Sequence, residues 1–156
     1  AICILRSTDG RVGGMIYFAQ ETSKAHIHIQ ARLSCFPRTS QPGALHGIHI
    51  CENGDLTHGC RTAGLHWNPY GLPHGGPGSK LRHEGDLGNV QVGPDGMAFF
   101  EAADARLTLF GPMSIFGRAV VVCEREDDLG KGAHPDSMVN GNSGECIAQG
   151  VICLTK

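Results

Sequence analysis

No apolar run in this 156-residue chain approaches the roughly 20 residues needed to cross a bilayer; the longest, such as Ala119 to Val122, are strand-sized. No charged-then-apolar leader opens the chain, so the expectation is a soluble protein from which any signal peptide is already absent. An excess of charge of one sign is also missing. A net charge of -2 and a pI near 6.5 leave no basic stripe for nucleic acid and no polybasic membrane anchor, and neither partner is expected. Internal repeats and low-complexity tracts are absent. Glycine and proline, by contrast, are plentiful: 23 Gly and 8 Pro punctuate the chain too often for long helices. A chain of this length fits one domain, residues 1–156, able to bury roughly two-thirds of its unfolded surface.

The seven cysteines are Cys3, Cys35, Cys51, Cys60, Cys123, Cys146 and Cys153. An odd number leaves at least one thiol free or metal-bound unless a bond forms between chains. That pattern favours a reducing, cytoplasmic compartment over an extracellular one.

The apolar pattern is that of short strands. Ala1 to Leu5, a turn at Ser7-Thr8-Asp9-Gly10 and Val12 to Gln20 read as a hairpin. Ala25 to Leu33 alternates, with Ile27, Ile29, Ala31 and Leu33 on one face and His26, His28, Gln30 and Arg32 on the other. His26 and His28 read as solvent-facing strand residues, not metal ligands. Further segments at Ala44 to Ile50, Gly88 to Val92, Met97 to Glu101, Arg106 to Phe110, Gly117 to Cys123 and Ile147 to Leu154 give roughly eight strands, an all-β sandwich or barrel. Glu52 to Arg82 and Glu124 to Ser143 have no period of their own. Loops that long inside a compact domain are usually functional or disordered, and the histidines of the first argue for function.

His66, His74, His83 and Asp86 follow one another at spacings of 8, 9 and 3 residues. Three imidazoles and a carboxylate form a suitable tetrahedral set for zinc. On spacing alone, exposed loop histidines are an equal alternative. The surrounding segments decide between them: G-I-H-I-C-E-N-G-D at Gly47 to Asp55, G-L-H-W-N-P at Gly64 to Pro69, H-G-G-P at His74 to Pro77, R-H-E-G-D-L-G-N at Arg82 to Asn89, G-R-A-V-V-V-C-E at Gly117 to Glu124, and D-D-L-G-K-G at Asp127 to Gly132. Together they resemble the copper/zinc superoxide dismutase family over essentially the whole chain.

The resemblance implies a flattened eight-stranded Greek-key barrel of immunoglobulin-like build, usually a homodimer, with two long loops walling a metal site. It implies that His66 bridges copper and zinc, that His74, His83 and Asp86 complete the zinc shell, and that Asp127 bonds one ligand histidine of each metal. His46 matches a structural histidine and Cys3 a buried strand cysteine.

On the copper side the pattern is altered. The family's H-x-H reads His49-Ile50-Cys51, and its V-V-H-E reads Val121-Val122-Cys123-Glu124, so two of four imidazoles become thiols. Three readings stay open: inert buried thiols, a His49/Cys51/His66/Cys123 site for a soft ion, or a Cys51–Cys123 disulfide. Val139 stands where the family has its guiding lysine, and Cys146 where it has the arginine that holds the anion. The cysteine matching Cys60 pairs in the family with a position that is Gln149 here; two readings stay open, a free Cys60 or a pairing with Cys146 after a local shift.

The implied activity, two superoxide to O2 and H2O2, is therefore expected to be weak or absent, with zinc as cofactor and copper doubtful. Two other functions stand beside this one: an active dismutase with unusual ligands, and the dismutase-like domain of the copper chaperone for superoxide dismutase. The chaperone domain is resembled by Gly132-Ala133-His134-Pro135-Asp136-Ser137 and by Gly141-Asn142-Ser143-Gly144-Glu145. Expected partners are metal ions and a second dismutase-fold chain, in a homodimer or heterodimer.

Overall fold

A computed structural model describes residues 1–7, 9–10, 12–34 and 41–155; Thr8 of the first turn signal and Cys35 lie outside them. The described chain forms strands β1 (Ile2–Arg6), β2 (Gly13–Ala19), β3 (Ile27–Ser34), β4 (Leu45–Ile50), β5 (Thr57–Gly59), β6 (Asp86–Gln91), β7 (Ala98–Asp104), β8 (Ala119–Cys123) and β9 (Cys146–Cys153). Two single-turn helices, α1 (Cys60–Ala63) and α2 (Ser137–Asn140), sit in the long loops. All the strands except the short β5 form one antiparallel sheet in the order β6-β4-β8-β9-β1-β2-β3-β7. Its edges β6 and β7 pack together, so the sheet curls into a nearly closed Greek-key barrel.

Side-chain alternation places the core. Cys3 and Leu5 on β1, Ile16 and Phe18 on β2, and Ile27, Ile29, Ala31 and Leu33 on β3 point inward, while His28 stays on the exposed face of β3 and His26 lies exposed just before it. β4 and β8 differ, being buried on both faces. Ile48, Ile50, Val120 and Val122 enter the barrel core, whereas Cys51, Ala119, Val121 and Cys123 form a second cluster on the outer face. The two long loops cover that face, which is why β8 reads as uninterrupted apolar sequence.

The segment Arg106 to Phe110, expected as a strand, is not one. Asp104 Oδ1 accepts the backbone N–H groups of Arg106 at 2.7 Å and Leu107 at 3.0 Å, which turns the chain out of the sheet at the end of β7. Leu107 then plugs the barrel core, so the apolar pattern serves end-packing instead of pairing. Conversely, β5 and α1 lie within a stretch whose sequence has no period.

The loop leading into β6 is anchored by a buried ion pair. Arg82 is 2% exposed; its guanidinium donates to Asp86 O at 2.7 Å and to the Asp104 carboxylate. Arg106 likewise holds Glu84, with Nη2 to Oε1 at 2.6 Å. Removing one partner of a buried pair strands the other charge in a low-dielectric environment, at a cost of about 3–5 kcal/mol. Arg82→Ala should therefore lower the urea midpoint by that amount of unfolding free energy, and a loss under 1 kcal/mol would show that water replaces the guanidinium.

Candidate metal centre

The first long loop is stitched onto the end of β4. Ile50 N–H donates to Gly85 O at 2.9 Å, Gly85 N–H to Trp67 O at 2.9 Å, and Trp67 N–H to Ile50 O at 2.8 Å. A Cβ on Gly85 would collide with Ile50 O, so only glycine permits this approach. The stitching delivers His66, His83 and Asp86 to one point, and Cys51 faces His66 across an isolated bridge.

Asp86 is the centre of the first group. Its Oδ1 lies 2.9 Å from His66 Nδ1, 3.0 Å from His74 Nδ1 and 3.2 Å from His83 Nδ1. Its Oδ2 accepts the N–H groups of His83 at 2.8 Å and Gly75 at 3.1 Å. One ligand atom from each of His66, His74, His83 and Asp86 falls within 4.8 Å of all the others, and all four residues carry buried ligand positions. His74 Nδ1 is buried 3.0 Å from Asp86 Oδ1 without an aligned hydrogen bond, a buried polar atom aimed into the group. Such a donor set fits zinc.

Asp127 joins this group to β4. Its Oδ1 accepts His74 Nε2–H at 2.8 Å and its Oδ2 accepts His49 Nε2–H at 2.9 Å; all three side chains are 0% exposed. An ionised carboxylate only accepts, so both rings donate to it from Nε2, which leaves Nδ1 as the nitrogen turned toward the neighbouring ligand groups. Asn89 fixes Asp127 from behind, accepting its N–H at 2.8 Å and donating to its carbonyl at 2.8 Å. Gly141, in the left-handed region at φ 69°, leaves room in front: a Cβ there would strike Asp127 Oδ1 and His74 Nε2.

His49, Cys51, His66 and Cys123 are neighbours of a different kind. His66 stacks on His49 with ring centroids 3.9 Å apart, and Cys123 Sγ lies 3.7 Å from His49 Nδ1. His46 is buried, its Nδ1 2.9 Å from the Cys123 carbonyl oxygen. Cys51 and Cys123 join neither gathered set of ligand atoms and instead pack with Ala63, Ala119 and Val121. Burial, then the neighbouring Cys123 and Glu52, push the Cys51 thiol up to about 12, so it is protonated at neutral pH. At the loop's far side Cys60 and Cys146 are joined by a disulfide, and Gln149 Oε1 lies 2.8 Å from Cys60 Sγ. Val139 is exposed on α2, beside Met138, over a cleft lined by His66 and His83.

Sequence reading named the four residues that the fold gathers but not their supports. The Arg82–Asp104 and Arg106–Glu84 pairs join positions 22 residues apart, and nothing local marks the partners. Arg118 stacks on Trp67, 3.2 Å from its ring centroid, and donates to Glu52 O at 2.5 Å, which pins the loop from outside.

The buried charges set a pH profile for metal-free protein. Burial works against protonation of His49 and His74, but the Asp127 hydrogen bonds overcome it and raise both to about 9, above the ordinary 6.5. Burial, then the charge of His49, lowers His66 to about 3. The first two stabilise the fold below 6.5 and that stability is lost as pH rises through 9; His66 favours the fold above 6.5 and loses that contribution as pH falls toward 3. Asp86 and Asp127, held well below the carboxylate range because their histidine hydrogen bonds outweigh desolvation, add to the acid-side loss. The melting temperature in a chelator should peak near pH 6.5 and fall on both sides; a rise from pH 6.5 to 9 would refute the Asp127 bridge.

The copper/zinc superoxide dismutase (SODC) family matches residues 12–152 of the chain. The Cu-Zn superoxide dismutase 5 of Dictyostelium discoideum is 41% identical over 156 residues, covering 100% of this chain and 98% of its own. The extracellular Cu-Zn superoxide dismutase of Brugia pahangi is 40% identical over 158 residues, covering 99% of this chain and 76% of its own. With that extent of match and this barrel, the chain belongs to the copper/zinc superoxide dismutase family.

Proposed function

We propose that the chain is a zinc-binding member of its family in which superoxide dismutation is weak or absent. The observation that carries this reading is a gathered His66/His74/His83/Asp86 set beside a face where two buried thiols, Cys51 and Cys123, replace imidazoles. Zinc held by the first set would tie β6 to three points of the long loop. His66 belongs to that set through Nδ1 and rests its ring on His49, so Asp127, His49, His74 and His66 form one continuous polar chain.

Dismutation requires a copper ion that is reduced and reoxidised in turn. Thiolates favour the softer, reduced ion and are themselves oxidised by peroxide. The His49/Cys51/His66/Cys123 set therefore does not fit a cycling copper. Anion guidance is weakened as well. The lysine and arginine positions carry Val139 and Cys146, and Glu145 and Glu52 line the clefts beside the metal residues. A superoxide anion would meet Glu52 and Glu145 together with Arg61, which lines the second cleft, in place of the family's lysine and arginine.

A role in partner binding follows as the positive function. The chaperone-like segments from Gly132 and Gly141, the second of them beginning at the glycine that packs on Asp127, support pairing with another dismutase-fold chain. Cys153, a free and exposed thiol, supports a reducing compartment. No helix among the described residues is long and apolar enough to cross a membrane.

Metal analysis of purified protein after copper loading should give one zinc, little copper and no rapid superoxide consumption; stoichiometric copper with rapid consumption would make the chain an active dismutase with cysteine ligands. The double change Cys51→His and Cys123→His should raise Cu(II) affinity, with activity returning only when Cys146→Arg is added. Full activity from the double change alone would refute the guidance argument. His83→Ala should lower the melting temperature of zinc-loaded protein by several degrees while leaving chelated protein almost unchanged, and equal melting temperatures for variant and parent with zinc would remove His83 from the zinc set.

A further inference from the structure

Segments distant in sequence, the end of β1, the turn from β5 into α1, and β9, close around one small cavity. Arg6 stands opposite Gln149 in the β1–β9 register, and the Cys60–Cys146 disulfide holds α1 against β9, with His58 and Arg61 flanking Cys60. The turn that carries these two cations is locked locally: His58 N–H donates to Thr62 Oγ1 at 3.3 Å and Gly59 N–H to Leu56 O at 3.1 Å. Arg6, His58, Arg61 and Gln149 line the resulting space of about 140 Å³, and Glu145 is the only carboxylate among its lining residues. Among the described residues no carboxylate, Glu145 included, forms an ion pair with Arg6 or Arg61. Gln149 turns Oε1 to the Cys60 sulfur at 2.8 Å, and its amide nitrogen finds no acceptor among the described residues. The fold thus holds cations and a free N–H donor around one hollow without supplying what they bind.

We propose that this cavity binds a small doubly charged oxyanion of the phosphate or sulfate class, held by Arg6 and Arg61 with the Gln149 amide as a further donor. Its volume is well below the roughly 300–1,000 Å³ of sites for drug-sized ligands, which excludes a nucleotide and leaves a small ion. The planar fork of arginine matches pairs of oxygen atoms, so an oxyanion is preferred to a halide. Two guanidinium groups against one carboxylate leave a net positive charge, and attraction scales with the charge of the ligand, so a dianion is preferred to a monoanion. An ion seated there joins β1 to α1 and stabilises the fold by mass action. Cys60, Arg61, Glu145 and Cys146 also line the cleft beside Cys51 and Cys123, so the two spaces adjoin. Arg6, His58 and Gln149 line the outer one alone, which lets substitutions there tell an anion in this cavity from one near the gathered histidines.

The test is titration of the full chain with inorganic phosphate and, separately, with sulfate, against chloride at matched ionic strength, read by amide NMR shifts and by melting temperature. Both oxyanions should bind saturably, with shifts centred on Arg6, Arg61 and Gln149, and about tenfold more tightly than chloride, the worth of one charge-assisted hydrogen bond. Arg6 and Arg61 are exposed, so Arg6→Gln and Arg61→Gln leave the core intact; each should weaken oxyanion binding by about the same factor. Glu145→Gln should tighten binding, because it removes the opposing charge. Lys24→Gln, an exposed change beyond the end of β2 that pairs with the start of β1, lies away from Arg6 and should leave binding unchanged. Equal affinity for sulfate and chloride would overturn the site, as would saturable oxyanion binding that Arg6→Gln leaves intact, since the ion would then sit elsewhere.

Discussion

A single buried carboxylate, Asp127, ties the covering loops to the barrel. It takes one hydrogen bond from His49 on β4 and one from His74 in the first long loop, and it is itself held by Asn89 of β6. Because it can only accept, it makes Nε2–H the donor of both rings and aims both Nδ1 atoms inward. The glycine at 141 and the αL turn it permits bring the second long loop onto the same atoms. Remove the carboxylate and two imidazoles, two loops and a strand lose their common reference.

The face beneath those loops has two chemistries side by side because β4 and β8 are buried on both sides. Alternation sends Ile48, Ile50, Val120 and Val122 into the barrel and leaves His49, Cys51, Val121 and Cys123 outside under the loops. A thiol in that position behaves as a small hydrophobe, so cysteine packs at Cys51 and Cys123 without the buried hydrogen-bond partners an imidazole would need. The zinc-type group does not share this tolerance. Asp86 accepts from two backbone N–H groups as well as facing three rings, and its loop is braced by Arg82 and Arg106. One half of the centre is therefore a rigid polar lattice and the other a packed cluster of sulfur and aliphatic carbon.

The disulfide lines the same cleft as the two thiols of the second half. Cys146 pairs with Cys60, and Gln149 Oε1 sits close to the Cys60 sulfur. The covalent tie that anchors α1 to β9 thereby moves next to Cys123, its neighbour across the strands. A structural bond and two unbonded thiols become parts of one wall.

Much of this was legible in the chain itself. The strict alternation in β3 and the unbroken apolar run of β8 marked strands because side chains alternate faces and because β8 has no exposed face. The spacing of His66, His74, His83 and Asp86 and the motifs around them named the metal-type residues, since short-range geometry around a ligand constrains neighbouring residue types. Arg106 to Phe110 misled for the same local reason: an apolar pattern records burial, and only Asp104 capping Arg106 and Leu107 decides that the burial is a plug and not a strand. The ion pairs of Arg82 and Arg106, the Trp67–Arg118 stack and the meeting of Cys51, Cys60, Cys123 and Cys146 were left to tertiary structure. Those contacts join residues distant along the chain, and what brings them together is the closure of the barrel and the return of its loops, which no local pattern encodes.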